Sequence, residues 1–347
     1  MKILFGVQAT GNGHISRSRE VIRHLKAAGH SVQVILSGRD SSLLWDMEVF
    51  KPYISYSGLT FSVRRGRIQY LKSLSQLHLF RFFSDIRNFN ARGYDLVITD
   101  FEPITARIAI SSGLPSIGIG HQYAFSYKIP IDGFNPLSWL IMRTFAPARF
   151  AIGLHWHHFK QPILPPIVPE TVPVGNGIDR KKVLVYLPFE ELTDVRSLMG
   201  PFNNYQFFIY HQHSRPGDEG HLKMRGYSRE GFLRDLSECC AVIANAGFEL
   251  SSEAISLGKK ILVKPLAGQM EQLSNARAIA ELKLGRVMKK LERNAVRDFL
   301  ADPPAEPVGY PNVARMIADW IGAGNWNDIS ELSRLAWRQT ASPSFRL

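Results

Sequence analysis

Cysteine is almost missing from this chain of 347 residues: the two present, Cys239 and Cys240, are adjacent. Neighbouring cysteines cannot build an ordinary disulfide framework or a thiolate metal site, so both are excluded, and a reducing compartment, the cytoplasm, is expected. Long apolar runs are missing too. The opening run, Ile3 to Val7, is too short for the apolar region of a secretion signal and reads as a strand. The longest apolar neighbourhood, Leu137 to Trp156, is broken by Arg143 and Arg149, whereas a spanning helix needs ~20 predominantly apolar residues. The sequence therefore predicts no membrane crossing, while leaving room for a chain that lies on the inner face of one. Acidic residues are scarce in one half only: residues 1–165 carry 19 Lys/Arg against 9 Asp/Glu, and residues 166–347 carry 23 against 21. That asymmetry points to an anionic partner of the first half or to plain solubility charge. No nucleic-acid recognition module is visible, and nucleic acid is not expected as a partner.

What is present is an ordinary globular composition, 45% hydrophobic and 21% charged, in a chain long enough for about two domains at ~150 residues each. The first segments read strand, glycine-rich turn, helix, strand: Lys2 to Val7, then Gly11-Asn12-Gly13-His14, then Ile15, Val21, Ile22 and Leu25 on one face, Gly29 as a stop, and Val32 to Leu36. Such a βαβ unit implies parallel pairing. The pattern returns at Tyr94 to Asp100, Pro103 to Ser111 and Pro115 to Gly120. Five prolines between Gln161 and Pro173 read as a linker. Strand and helix patterns then resume at Lys181 to Leu187, Gln206 to Tyr210, Cys240 to Ala244, Glu249 to Leu257, Ile261 to Val263 and Glu271 to Leu282. The expected organisation is a doubly wound α/β unit over 1–165, a second over 166–311, and an amphipathic helical tail over 312–347 that packs back on the first.

Two segments carry chemistry. Gly11, Asn12 and Gly13 lie between the first strand and its helix, where backbone amides and the helix dipole can meet an anion. The third glycine of the dinucleotide fingerprint is absent, since Ser16 stands there. His14 is the one ionisable side chain in this turn and is either a general base or a solvated capping residue. The second segment runs Asn245-Ala246-Gly247-Phe248-Glu249, through Glu253-Ala254, Leu257-Gly258 and Pro265, to Glu271-Gln272 and Asn275-Ala276. Gly247 opens the turn after a buried strand, so a diphosphate could approach the next helix; Glu253 could accept two ribose hydroxyls, and Glu271 and Gln272 could reach a sugar. These acids could equally be charges that complement helix N-termini. Secondary candidates are Arg64 and Arg65 as a phosphate clamp or a solvated charge run, His121 beside Gln122 and Tyr123 as an acceptor-pocket residue, Asp100 and Glu102 as alternative bases, and Trp139 to Phe145 as core packing or, failing that, an interfacial patch.

The order glycine, Glu-Ala, Leu-Gly, Pro, Glu-Gln, Asn-Ala resembles the nucleotide-sugar segment of GT-B glycosyltransferases, particularly the MurG-like lipid N-acetylglucosaminyltransferases, and the Gly-x-Gly-His turn resembles their acceptor loop. The resemblance implies two Rossmann-like doubly wound domains facing each other across a cleft. It implies a nucleotide-sugar donor, with UDP as nucleotide, held by Asn245, Gly247, Phe248, Glu253, Glu271 and Gln272. It implies an acceptor near Gly11, Asn12 and Gly13, with His14 in the place of the base; the basic first half suggests that this acceptor is lipid-linked or anionic, with Arg64, Arg65 and His121 as further acceptor-binding candidates. The turn Leu187-Pro188-Phe189-Glu190 departs from it, having no glycine where such enzymes have a glycine-rich turn. With no Asp-x-Asp motif in the chain, neither metal nor cofactor is expected. A nucleotide-sugar hydrolase or 2-epimerase on the same fold, and a non-catalytic nucleotide-sugar-binding protein, are the rival expectations.

Overall fold

The computed structural model describes residues 1–39, 46–59, 63–64, 67–68, 79–170, 177–226 and 228–341, with backbone alone for 63, 64, 67 and 68. The first half contains β1 (Lys2–Gln8), α1 (Asn12–Ala27), β2 (Ser31–Ser37), β3 (Tyr53–Tyr56) and a two-residue ladder of β4 (Val63–Arg64) with β5 (Arg67–Ile68). It continues with α2 (Leu79–Asn88), β6 (Leu96–Asp100), α3 (Pro103–Ser112), β7 (Ser116–Gly120), the short α4 (His121–Ala124), α5 (Pro136–Thr144) and β8 (Phe150–Gly153). Six of these strands form a parallel sheet in the order β3-β2-β1-β6-β7-β8.

Alternation along β1 divides the sheet's two faces. Ile3, Phe5 and Val7 join the cluster that includes Val21, Ile22 and Leu25 of α1, while Leu4 joins Ile104 and Ile108 of α3 and Phe82 of α2. On this second face α3 comes so close that a Cβ on Gly6 would lie 2.0 Å from Thr105 Oγ1, which leaves glycine as the one residue that fits. The start of α3 follows from its sequence: Glu102 caps it by accepting from the amides of Ile104 and Thr105, and Pro103 takes the first helical position.

The second half contains β9 (Asp179–Tyr186), α6 (Leu192–Met199), β10 (Gln206–Tyr210), β11 (Gly217–Glu219), β12 (Leu222–Arg225), α7 (Arg229–Glu238) and β13 (Cys239–Asn245). After these come α8 (Phe248–Ser256), β14 (Lys260–Lys264), α9 (Met270–Glu281), β15 (Arg286–Val287) and α10 (Arg293–Leu300), and the chain closes with α11 (Val313–Ala323) and α12 (Ile329–Arg338). The sheet order is β11-β12-β10-β9-β13-β14-β15, parallel except for the β11–β12 edge pair. Both sheets are therefore open, doubly wound α/β layers, the fold class the sequence predicts.

The proline-rich segment is more than a spacer. Over its described part, Ile163, Leu164 and Ile167 are buried, and the Ile163 carbonyl accepts from Trp337 Nε1 at 2.6 Å and from Ser333 Oγ at 2.8 Å. Apolar residues alternating with prolines give an extended strap that packs, and α12 fastens it. The tail's other helix contributes Ile317 and Ile321 to the cluster that holds Val21 and Ile22 of α1, so the end of the chain rests on its beginning. No helix among the described residues is long and apolar enough to cross a membrane.

Candidate active site

In an open α/β sheet, ligands gather at the strand carboxyl ends where the winding direction reverses. In the first sheet that point lies between β1 and β6, and the register pairs Val7 with Asp100. This is why a histidine from the turn after β1 meets an aspartate 86 positions later: His14 Nδ1 lies 2.9 Å from Asp100 Oδ1. An ionised carboxylate only accepts, so in the neutral ring this pairing puts the proton on Nδ1 and leaves the lone pair on Nε2; Arg17 Nη2, a donor only, lies 3.0 Å from the same Nδ1 and competes with that arrangement. Asp100 is 1% exposed and fully engaged. Ser18 Oγ donates to Oδ2 at 2.6 Å, Arg17 Nε donates to the same oxygen at 3.2 Å, and Arg17 Nη2 bonds Oδ1. Burial alone would raise this carboxyl; Arg17 and His14 outweigh it and hold it down at about 2.

The matching reversal in the second sheet lies between β9 and β13. Asn245 ends β13, and Gly247 is the N-cap of α8 without any side-chain capping bond; a Cβ on Gly247 would meet nothing within 4 Å. Asn245 Nδ2 donates to the Lys264 carbonyl at 3.1 Å and to Glu190 Oε1 at 3.3 Å, and Lys264 Nζ bonds that same Glu190 oxygen at 2.7 Å. Thus the glycine-free turn after β9 places a carboxylate at this rim and a lysine neutralises it. Glu253, six residues beyond Gly247, is buried, and burial pushes its carboxyl up to about 7 against one neutral partner, Ser16 Oγ, which donates at 2.9 Å.

That last bond crosses from one half to the other, and it is one of a row. Gln122 Nε2 donates to Glu271 Oε1 at 3.0 Å, His121 Nε2 lies 2.6 Å from Asn275 Oδ1, and Asn12 Nδ2 donates to the Tyr186 hydroxyl at 3.3 Å. The His121 ring also stacks on Phe248 with centroids 4.0 Å apart and planes 5° from parallel. Gly13 touches the second half directly, since a Cβ there would fall 2.9 Å from Glu249 Oε2. Hence His14, Gly13, Asn12, Glu253, Glu271 and Phe248 meet along one seam.

Other residues singled out in the sequence lie elsewhere or do other work. Gln272 turns inward, its Oε1 accepting from the Leu266 amide at 3.0 Å. His121 is fully buried in the seam rather than facing an open pocket. Glu102 is consumed as the cap of α3, also accepting from Ser37 Oγ at 2.7 Å, and Asp100 is closed off behind His14 and Arg17; neither is accessible as a base. Arg65 lies outside the described residues, and of Arg64 only the backbone is described. Gly11 caps α1, again without a side-chain bond.

Sequence reasoning missed Arg17, Ser16, Tyr186 and the Lys264–Glu190 pair. The spacing of Arg17, one turn after His14, was the available signal, but nothing local marks an arginine that is 2% exposed. A hollow of about 790 Å³ lined by Phe83, Arg87, Tyr94, Ile108 and Leu114 lies between α2 and α3 and shares no residue with the seam.

The family model of glycosyl transferase family 1 matches residues 1–304. No curated protein matches by sequence. Among solved structures, the chain is similar to the glycotransferase of kitacinnamycin, at 16% identity over 97% of this chain and 98% of that one with a TM-score of 0.61. It is similar to SnogD from Streptomyces nogalater, at 14% identity over 93% and 99% with a TM-score of 0.55. It is also similar to the glycosyltransferase VinC in complex with dTDP, at 16% identity over 97% and 100% with a TM-score of 0.53. These likenesses agree with the sheet topology on a GT-B fold. The match over most of the length, on that fold, places the chain: it belongs to glycosyl transferase family 1.

Proposed function

We propose that the seam is the transfer site, where a sugar passes from a nucleotide-sugar held by the second half to an acceptor hydroxyl presented by the first. The observation that carries this reading is the His14–Asp100 pair at one switch point, set against the uncapped start of α8 with Glu253 and Glu271 at the other. In this reading Asp100 fixes the tautomer and His14 Nε2 takes the acceptor proton. The first-turn amides of α8 face the departing diphosphate. Glu253 accepts ribose hydroxyls, and Glu271 accepts sugar hydroxyls. Ser16 and Gln122 support those roles, because each already gives one of these carboxylates a neutral donor of the kind a sugar hydroxyl would supply. Gln272 acts indirectly, by holding the loop before α9.

UDP is the proposed nucleotide, with thymidine diphosphate its competitor. The proposed acceptor is anionic and lipid-linked. Its support is the basic first half together with α5, in which no residue is buried: Leu137 and Leu140 are exposed, as is Phe134 before it, and Arg143 lies over the Trp139 ring at 4.3 Å. An apolar face edged with arginine suits the surface of an anionic bilayer. Catalysis without a metal is proposed from the missing Asp-x-Asp motif. The test is incubation of the purified chain with a panel of labelled nucleotide-sugars and a membrane-lipid extract, with and without EDTA. A labelled lipid product formed from one donor supports the reading, and failure of every donor to label anything overturns it.

A further inference from the structure

Among the described residues Arg17 is the cation buried in the seam beside His14, and its guanidinium is shared between the two halves. Its Nε and Nη2 bond Asp100, Nη2 also lies 3.0 Å from His14 Nδ1, and Nη1 forms an ion pair with the Glu249 carboxylate of the other half. This carboxylate occupies an unusual place. It is the second residue of α8, whose N-cap Gly247 makes no side-chain bond, and it packs on Gly13, in the first turn of α1, which has no acidic residue and whose N-cap Gly11 makes no side-chain bond either. Two helix N-termini and a buried guanidinium thus converge on one anion. The two partners differ in freedom, with the Arg17 side chain 1% exposed and that of Glu249 16%. The glutamate can turn out to solvent, and the arginine cannot follow it.

We propose that Glu249 is an internal stand-in for the donor's diphosphate, and that Arg17 is the cation which binds the diphosphate once the donor displaces that carboxylate. The proposal rests on the donor reading above and adds a contact from the first half to the leaving group. Self-pairing lowers the apparent affinity for donor by the fraction of molecules in which Glu249 is out of the way. Removing its charge therefore strengthens diphosphate binding, the opposite of what removing an interdomain clamp would do.

Calorimetric titration with UDP, UMP, thymidine diphosphate and thymidine monophosphate tests this on the wild-type chain and on Glu249→Gln and Arg17→Gln. The expected result is ~3- to 10-fold tighter diphosphate binding by Glu249→Gln and ~10- to 100-fold weaker diphosphate binding by Arg17→Gln, with the monophosphates moved much less by either. Because Arg17→Gln strands Asp100, Arg17→Lys is the second variant, expected to fold and to keep part of the diphosphate preference. If Glu249→Gln leaves diphosphate binding unchanged or weaker while the wild type binds, the stand-in is overturned and the donor site survives. If Arg17→Lys and Arg17→Gln lose mono- and diphosphates alike, the assignment of Arg17 is overturned. If the wild type binds no nucleotide, both this proposal and the donor reading fall.

Discussion

Two buried carboxylates, one in each half, are driven in opposite directions. Asp100 sits among Arg17, His14 and Ser18 and is held at about 2, whereas Glu253 is pushed up to about 7 by burial, with the Ser16 hydroxyl as its hydrogen-bond partner. The first rim is electrostatically complete, with each oxygen of its carboxylate taken by donors of its own half. The second rim is incomplete: its helix start is uncapped, Glu253 and Glu271 borrow neutral donors from across the seam, and its turn glycine faces open space. A finished cluster suits a part that must hold one geometry through a reaction, and an unfinished one suits a part that waits for a ligand. In the proposed reading the first half carries the chemistry, and the second half holds the donor with Arg17 reaching across to its diphosphate.

The largest expected effect tests the first side of that contrast. His14→Ala should reduce transfer ~10²–10⁴-fold, the usual contribution of a general base, while nucleotide affinity changes little. Full turnover in this variant, measured with a labelled donor, would remove His14 from the chemistry. Next, Asp100→Ala leaves the Arg17 guanidinium buried with Glu249 as its remaining ionic partner, and stability should fall by ~3–5 kcal/mol in denaturant unfolding. A loss below about 1 kcal/mol would show that the first rim is not the closed network it resembles.

On the other side, Glu253→Ala should weaken nucleoside diphosphate binding ~10- to 150-fold in a folded protein; unchanged affinity by calorimetry would break the contrast. The pH dependences should also part. For Asp100 the folded value lies below the ordinary 3.8, so its contribution to stability is present above that pH and is lost as pH falls through about 2. For Glu253 the folded value lies above the ordinary 4.5, so its contribution is present below that pH and is lost as pH rises through about 7. Binding of ribose hydroxyls favours the ionised form, so nucleotide affinity should rise between pH 6 and pH 8 with release of a proton. Calorimetry in buffers of different ionisation heat reads that proton, and its persistence in Glu253→Gln would assign it elsewhere. The smallest effect concerns the surface: acidic vesicles should float the protein at low salt and release it at high salt, while neutral vesicles should not recover it.

Much of this architecture was legible in the sequence, because the signals are local. The apolar runs that became β1, β6 and β13 end in turns that the sequence marks, and position at a strand end is enough to bring His14 and Glu253 to the two rims. Other features depend on which strands neighbour one another. The Arg17–Asp100 bond spans 83 positions and Ser16–Glu253 spans 237, and no periodicity encodes either. Gln272 looked like a sugar ligand because its neighbour Glu271 reaches the seam, but a helix turns successive residues to different faces. Glu102 was readable in principle: an acidic residue followed by proline before a helical pattern is a capping signal. The proline-rich segment was misleading in the other direction, since proline rules out helix without ruling out packing.

The measurement closest to the central claim is the rate of donor breakdown by the purified protein with and without acceptor. If the first half presents an acceptor hydroxyl to His14 and the closed seam keeps water away from the donor, release of nucleoside diphosphate should be slow alone and rise sharply when acceptor is added, in step with the glycosylated product. Rapid breakdown that is indifferent to acceptor would contradict transfer and make the chain a hydrolase built on the same fold.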